Sequence, residues 1–140
     1  MTIAMKLAAA ASAMNARLVG NDAEFCGVST DSRKIGAGEL FVALRGENFD
    51  GHQFVTTAKA QGAAAAVVAV DAAESLAALG LPLLVVADTR LALGQLATAW
   101  RQRFAIPVIA VTGSNDKTTN KEMISSIMRS AFGADAVLAT

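Results

Sequence analysis

A chain of 140 residues with 54% apolar and 17% charged side chains has the make-up of a folded protein with a real core, which excludes disorder as its default state. Twelve basic side chains balance twelve acidic ones, so the surplus of positive charge that marks a DNA, RNA or anionic-lipid binder is missing. Cys26 has no second thiol to make an internal disulfide or a metal site; it is expected as a small buried apolar residue in a reducing compartment.

Taken in chain order, the first helix is expected over Met5 to Ala16. Its start, Met5-Lys6 followed by Leu7 to Ala13, has the small residues and single charge of a weak signal peptide, but the stretch is mostly alanine and runs into further helix formers. No segment reaches the roughly 18 apolar residues of a membrane span, so a cytoplasmic location is expected. Strands are expected next at Arg17 to Val19 and Glu24 to Val28, separated by the turn formers Gly20-Asn21-Asp22. Ser29 to Lys34 is a polar loop, Leu40 to Leu44 a buried strand, and Arg45 to His52 a turn-rich loop.

The pattern then becomes regular. Phe54, Val55, Ala58 and Gln61 mark a short amphipathic helix, Ala64 to Val70 a strand, Ala72 to Leu79 a helix closed by Gly80, and Leu83 to Ala87 a strand. Asp88-Thr89 caps a long helix whose Leu93, Leu96, Trp100 and Phe104 recur at core spacing. After Pro107, Val108 to Val111 reads as a strand, Lys117 to Phe132 as a helix, and Ala136 to Leu138 as the start of another strand. Alternating strands and helices predict an α/β fold with a largely parallel sheet. A boundary is expected between Phe104 and Pro107. The segment beyond it holds one strand, one helix and the start of a strand, too little to cover both faces of a parallel sheet, so the sequence reads as one domain and the opening of a second.

Thr112 to Thr119 lies between a strand and a helix, where a phosphate-binding loop works through backbone N–H groups and a helix N-terminus. The position before Lys117 in such a loop favours glycine, because the backbone must approach phosphate closely in a conformation that other residues disfavour. Asp116 stands there instead. Two like charges about 4 Å apart repel by roughly 4 kcal/mol at a surface-like dielectric, on the order of a thousandfold in affinity. The competing role for Asp116 is a helix N-cap whose carboxylate takes the exposed amides. Asn120 is spaced to fall beside Met123, Ile124 and Ile127 on the apolar stripe, or to be an exposed first-turn residue.

Three segments, Ser29-Thr30-Asp31-Ser32-Arg33, Gly38 to Gly46, and Phe49-Asp50-Gly51-His52-Gln53-Phe54, together resemble the N-terminal domain of the Mur ligases, which extend UDP-N-acetylmuramoyl peptides. Asp88 to Gly94, and Lys121-Glu122-Met123 after the loop, resemble the branch that adds D-alanyl-D-alanine more than the sibling branch that adds the third amino acid. The resemblance implies residues 1–105 as a small UDP-sugar-binding domain and 106–140 as the first strand, loop and helix of a P-loop ATPase domain, within a three-domain enzyme. In the family ATP phosphorylates the tripeptide carboxylate and the dipeptide amine then attacks the acyl phosphate.

By position, Gly113, Ser114, Asn115, Asp116, Lys117, Thr118 and Thr119 match the ATP loop, with Lys117 on the phosphates and Thr118 near Mg2+. The departure at Asp116 argues against ATP binding by this chain. A diphosphate needs hydroxyls, amides and a cation, which Ser29, Thr30, Ser32, Arg33, Arg45 and Asn48 supply on two loops; alternatively Asp31 and Arg33 pair and brace their own loop. His52, with no partner at ligand spacing, is expected as a cap or brace. The implied partners are UDP-N-acetylmuramoyl-tripeptide and D-alanyl-D-alanine, with no nucleic acid; the 117–132 helix is a candidate for self-association. The chain alone is expected to be inactive, its acyl-transfer groups lying in further domains. A stand-alone nucleotide-sugar module with a dead phosphate loop is the rival reading.

Overall fold

In the computed structural model, which describes residues 4–140, the chain divides between Phe104 and Ala105 into two units. The first begins with a short strand, β1 (Met5–Lys6), which pairs antiparallel with β3 (Glu24–Phe25), and only then enters α1 (Leu7–Met14). The expected helix from Met5 to Ala16 is therefore shorter at both ends. Asn15 closes it in the left-handed conformation, φ 51°, which an asparagine tolerates better than most residues. At the other end Asp22 Oδ1 accepts from Ala8 N at 3.0 Å, satisfying one of the amides a helix start leaves unpaired.

The five-stranded sheet runs β2 (Arg17–Val19), β9 (Leu83–Val86), β8 (Ala65–Ala69), β5 (Leu40–Val42), β4 (Val28–Ser29). Neighbours are parallel except β2, which is antiparallel to β9. The expected strand Glu24 to Val28 is broken at Cys26 and Gly27 into β3 and β4, which belong to different sheets. Cys26 is exposed, not buried, because it sits at that crossover with its thiol donating to Ala37 O at 3.6 Å.

Side chains alternate across each strand and so sort into two cores. Leu40, Val42, Ala65, Val67, Leu84 and Val86 face α1 and α4 (Thr89–Arg101), meeting Leu7, Ala10, Met14, Ala92 and Leu96. Phe41, Ala43, Ala66, Val68, Leu83 and Val85 face α2 (Val55–Ala60) and α3 (Val70–Ala77), meeting Val55, Ala58 and Ala73. Helices on both faces explain why β8 and β9 are continuous apolar runs. Asp88 caps α4 as its sequence position predicts, accepting from Arg90 N at 2.8 Å and Leu91 N at 3.0 Å.

After β5 the chain makes a small hairpin, β6 (Arg45–Gly46) with β7 (Phe49–Asp50), and a 3-10 turn over Gly51–Phe54. Gly51 N donates to Leu44 O at 2.7 Å, and a Cβ at Gly51 would lie 2.8 Å from both Leu44 N and Leu44 O. Only a glycine lets the two backbones approach this closely.

The second unit, residues 105–140, carries one long helix, α5 (Lys117–Phe132), with the predicted bounds. Val108 to Val111 is not a strand, since no described segment pairs with it, and Val108 and Ile109 are 64% and 57% exposed. The expected strand at Ala136 to Leu138 is also not formed; Ala134–Ala136 is a 3-10 turn.

The close approach at Gly51 makes a stability prediction. Gly51→Ala forces the hairpin off Leu44 and should cost about 1–3 kcal/mol, the usual range for overpacking, seen as a lower urea midpoint with an unchanged slope. An unaltered midpoint would show that the backbone there yields freely.

Candidate functional site

Strands β4, β5, β8 and β9 are parallel, so their C-terminal ends lie on one sheet edge, where open α/β sheets bind their ligands. The loop after β4, the hairpin after β5, the start of α3 after β8 and the Asp88 cap after β9 all leave from that edge. The topology thus brings Ser29–Arg33 and Arg45–Asn48 together, although they are far apart in sequence.

In the first loop, Ser29 Oγ donates to Asp31 O at 3.1 Å and accepts from Asp31 N at 3.2 Å, a local turn that uses the hydroxyl. Asp31 accepts from Arg33 three times: from the backbone N at 3.0 Å, from Nε at 2.9 Å and from Nη2 at 2.8 Å. The bracing pair is therefore formed. The Arg33 side-chain hydrogen bonds, then its backbone N–H, pull the Asp31 carboxyl from 3.8 to about 2. Thr30 is exposed and Ser32 buried, at 6% exposure.

In the hairpin, a pocket of about 440 Å³ is lined by Arg45, Glu47, Asn48, Asp50 and Gln53, with Phe49 and Phe54 stacked 5.6 Å apart. Arg45 Nη1 and Nη2 donate to Asp71 at 3.1 and 2.9 Å, and Nε reaches Asp50 at 3.4 Å. The Arg45 hydrogen bonds hold Asp71 below the ordinary carboxylate range. Asp71 was not singled out by the sequence. The only signal for it is an acidic residue in the first turn of a helix, which is common for reasons of helix dipole alone. His52 is a brace, as its isolation in the sequence suggests. It is 7% exposed, its Nδ1 lies 2.6 Å from Asp50 Oδ1, and its Nε2 accepts from Ala69 N at 2.9 Å.

The second unit has its own candidate. Residues 112–119 run exposed into the N-terminus of α5, with Gly113 at φ 150° and Asp116 at φ 60°, ψ 18°. The left-handed backbone at Asp116 is the conformation for which a glycine is preferred. Its backbone carbonyl begins the helix by accepting from Asn120 N at 2.9 Å, but its carboxylate makes no capping bond. The competing role for Asp116, a side-chain N-cap, is therefore not formed. Lys117 and Thr118 open the helix, so their placement fits a phosphate and its counter-ion, while Asp116 adds a negative charge beside them. Asn120 is both exposed and on the apolar stripe, lining with Ile109, Val111, Met123, Ile124 and Ile127 a groove of about 480 Å³.

The first unit is an α/β protein of the parallel-sheet class, with polar loops gathered on one strand edge. The sequence profile described as "Mur ligase family, catalytic domain" matches residues 24–101. The chain is 46% identical over 117 residues to the UDP-N-acetylmuramoyl-tripeptide–D-alanyl-D-alanine ligase of Escherichia coli K12, covering 82% of this chain and 24% of that one. Among solved structures, the UDP-N-acetylmuramoylalanyl-D-glutamyl-2,6-diaminopimelate–D-alanyl-D-alanyl ligase of Acinetobacter baumannii superposes with a TM-score of 0.77 at 38% identity, over 94% of this chain and 29% of that one. The MurF ligase of Thermotoga maritima in complex with ADP does so with a TM-score of 0.58 at 30% identity, over 74% and 23%. The chain belongs to the Mur ligase family, a family of ATP-dependent peptide ligases. It spans about a quarter of the length of the curated relatives it matches.

The Asp31–Arg33 geometry sets a pH dependence. Because the folded-state carboxyl is depressed from 3.8 to about 2, the bracing is complete above pH of about 4 and is lost as pH falls through about 2. Carboxyl carbon NMR should place the Asp31 midpoint near the lower value. Arg33→Ala, which removes the side-chain donors but keeps the backbone N–H, should raise that midpoint part of the way back. No change on substitution would show that the guanidinium is not the main cause.

Proposed function

We propose that the chain forms part of a longer ligase that joins D-alanyl-D-alanine to UDP-N-acetylmuramoyl-tripeptide in peptidoglycan synthesis, in the cytoplasm. The observation that carries this reading is the 46% identity over 82% of the chain to an enzyme named for that reaction. In this reading residues 1–105 are the UDP-sugar-binding domain and residues 106–140 open the ATP-binding domain. Ser29, Thr30, Ser32, Arg33, Arg45 and Asn48 form the UDP-sugar site on the sheet edge. Its support is the convergence of both loops there.

Gly113 to Thr119 stand where the ATP loop of the family would cradle the nucleotide phosphates through amides at the α5 N-terminus, with Lys117 as the counter-charge and the Thr118 hydroxyl toward Mg2+, and Asp116 opposes that binding. When bound, ATP supplies the phosphoryl group that activates the tripeptide carboxylate. The chain's own contribution is orientation and charge: exposed backbone amides, one ammonium and two threonine hydroxyls within the first turn. The groups for acyl transfer and the dipeptide site belong to the rest of the ligase.

A donor assay tests the assignment. The ligase containing this sequence should form product from UDP-N-acetylmuramoyl-tripeptide, Mg-ATP and D-alanyl-D-alanine, whereas the 140-residue chain alone should form none. Turnover with a diamino acid on the UDP-dipeptide, and none with D-alanyl-D-alanine, would move the assignment to the sibling ligase.

Asp116 makes a second outcome measurable. Asp116→Gly relieves the left-handed strain, about 1–2 kcal/mol, and removes a like charge worth roughly 4 kcal/mol if it lies about 4 Å from phosphate. Calorimetry with Mg-ATP on both forms of the ligase should show tightening by up to about a thousandfold. Equal affinities would mean that the carboxylate points clear of the nucleotide.

A further inference from the structure

The two arginines offered to the diphosphate are not equivalent. A guanidinium has two forks that can grip a carboxylate or phosphate at two points, Nε with Nη2 and Nη1 with Nη2. Arg33 uses the first fork on Asp31 and leaves the second open, on a side chain that is 83% exposed. Arg45 has its second fork filled by both oxygens of Asp71, and Asp50 lies along the first at 3.4 Å from Nε. One positive and two negative charges leave this cluster at minus one, and Glu47 adds another negative charge in the same pocket. A diphosphate approaching Arg45 would have to displace one carboxylate and face the repulsion of the others.

The surroundings of Asp50 give the cluster a mechanical purpose. Ala69 N donates to His52 Nε2, so Nδ1 is the nitrogen that carries a proton toward Asp50 Oδ1. His52 N donates to the same oxygen at 3.0 Å, while Oδ2 faces Arg45. Ala69 ends β8 and Asp71 lies in the first turn of α3. Both ties, His52 to Ala69 and Arg45 to Asp71, therefore anchor the hairpin β6–β7 and the turn after it to one β8–α3 junction.

We propose that Asp71, Asp50 and His52 are positioning residues of the UDP-sugar site: they clamp Arg45 so that the hairpin is latched to the start of α3, and Arg45 shapes the site while Arg33 meets the phosphates. The proposal rests on the UDP-sugar reading of this sheet edge. It predicts that Arg45 and Asp71 behave as one unit. Exposed ion pairs are weak, so losing the latch should weaken binding only roughly two- to fivefold, whereas losing a phosphate contact made by a charged donor should cost about tenfold or more.

The experiment is calorimetry of UDP-N-acetylmuramoyl-tripeptide with the 140-residue chain and its Arg45→Ala, Asp71→Ala, double and Arg33→Ala variants, with hydrogen exchange of the amides of residues 46–49. The expected result is an equal, small loss for Arg45→Ala and Asp71→Ala, and a double variant no weaker than either. Hairpin exchange should be faster by one common factor in these three, and the loss should be tenfold or more for Arg33→Ala. Arg45→Ala costing tenfold or more, while Asp71→Ala binds as well as or better than the unaltered chain, would overturn it, because Arg45 would then be a phosphate ligand that Asp71 restrains. Unchanged hairpin exchange in Asp71→Ala would also overturn the latch. If the unaltered chain does not bind the UDP-sugar at all, the site reading and the positioning role fail together, and faster hairpin exchange in the variants would still identify the latch as a structural device.

Discussion

The parallel register of β4, β5, β8 and β9 is the constraint on which the rest of the first unit depends. β5, β8 and β9 bury both faces, so a shift by one residue would exchange the two cores: Leu40, Val42, Val67 and Leu84 would face α2 and α3, and Phe41, Val68 and Leu83 would face α1 and α4. The crossovers from β5 to β8 and from β8 to β9 return along α2 and α3 and that from β4 to β5 returns as a loop, so the connections that carry polar residues leave from the same edge. Gathering the candidate site is thus a consequence of burying the core. The loops need no contact with one another to converge.

Given that edge, the side chains on it are held by charge more than by packing. Asp31 with Arg33, and Asp50 and Asp71 with Arg45, are exposed or half-buried pairs, of the kind that contributes about 0–1 kcal/mol to stability. Their effect is on orientation. A two-point contact fixes the plane of a guanidinium and decides which of its N–H groups face outward. The buried His52 is the exception, tied through both ring nitrogens, and it joins this polar layer to the sheet beneath.

The second unit shows what a loop and a helix can and cannot do unaided. The helix α5 forms with its predicted bounds because helix propensity and the i to i−4 bonds are local. Val108 to Val111 has a strand composition, but a strand needs a partner to take its amides and carbonyls, and residues 105–140 offer none. The same holds for Ala136 to Leu138. Asp116 combines both levels: its backbone is left-handed at that point, and a side chain whose position in sequence suits a cap makes no capping bond.

By itself the sequence determined the α/β order, the long helices, the Asp88 cap, the bounds of α5 and the family, because apolar period, capping residues and motif spacing are properties of contiguous stretches. It also pointed to a bracing role for His52, since that side chain has no ligand partner nearby, but left the Asp31–Arg33 pair open between a brace and direct contact, which the structure decided by forming the pair. Tertiary structure alone decided the rest. Whether Glu24 to Val28 is one strand or two depends on which sheets lie beside it. The exposure of Cys26 is set by that crossover. That Arg45 is engaged by Asp71, 26 residues away, depends on the hairpin folding back onto the start of α3, and a contact between distant exposed residues leaves no periodicity in the chain from which to read it.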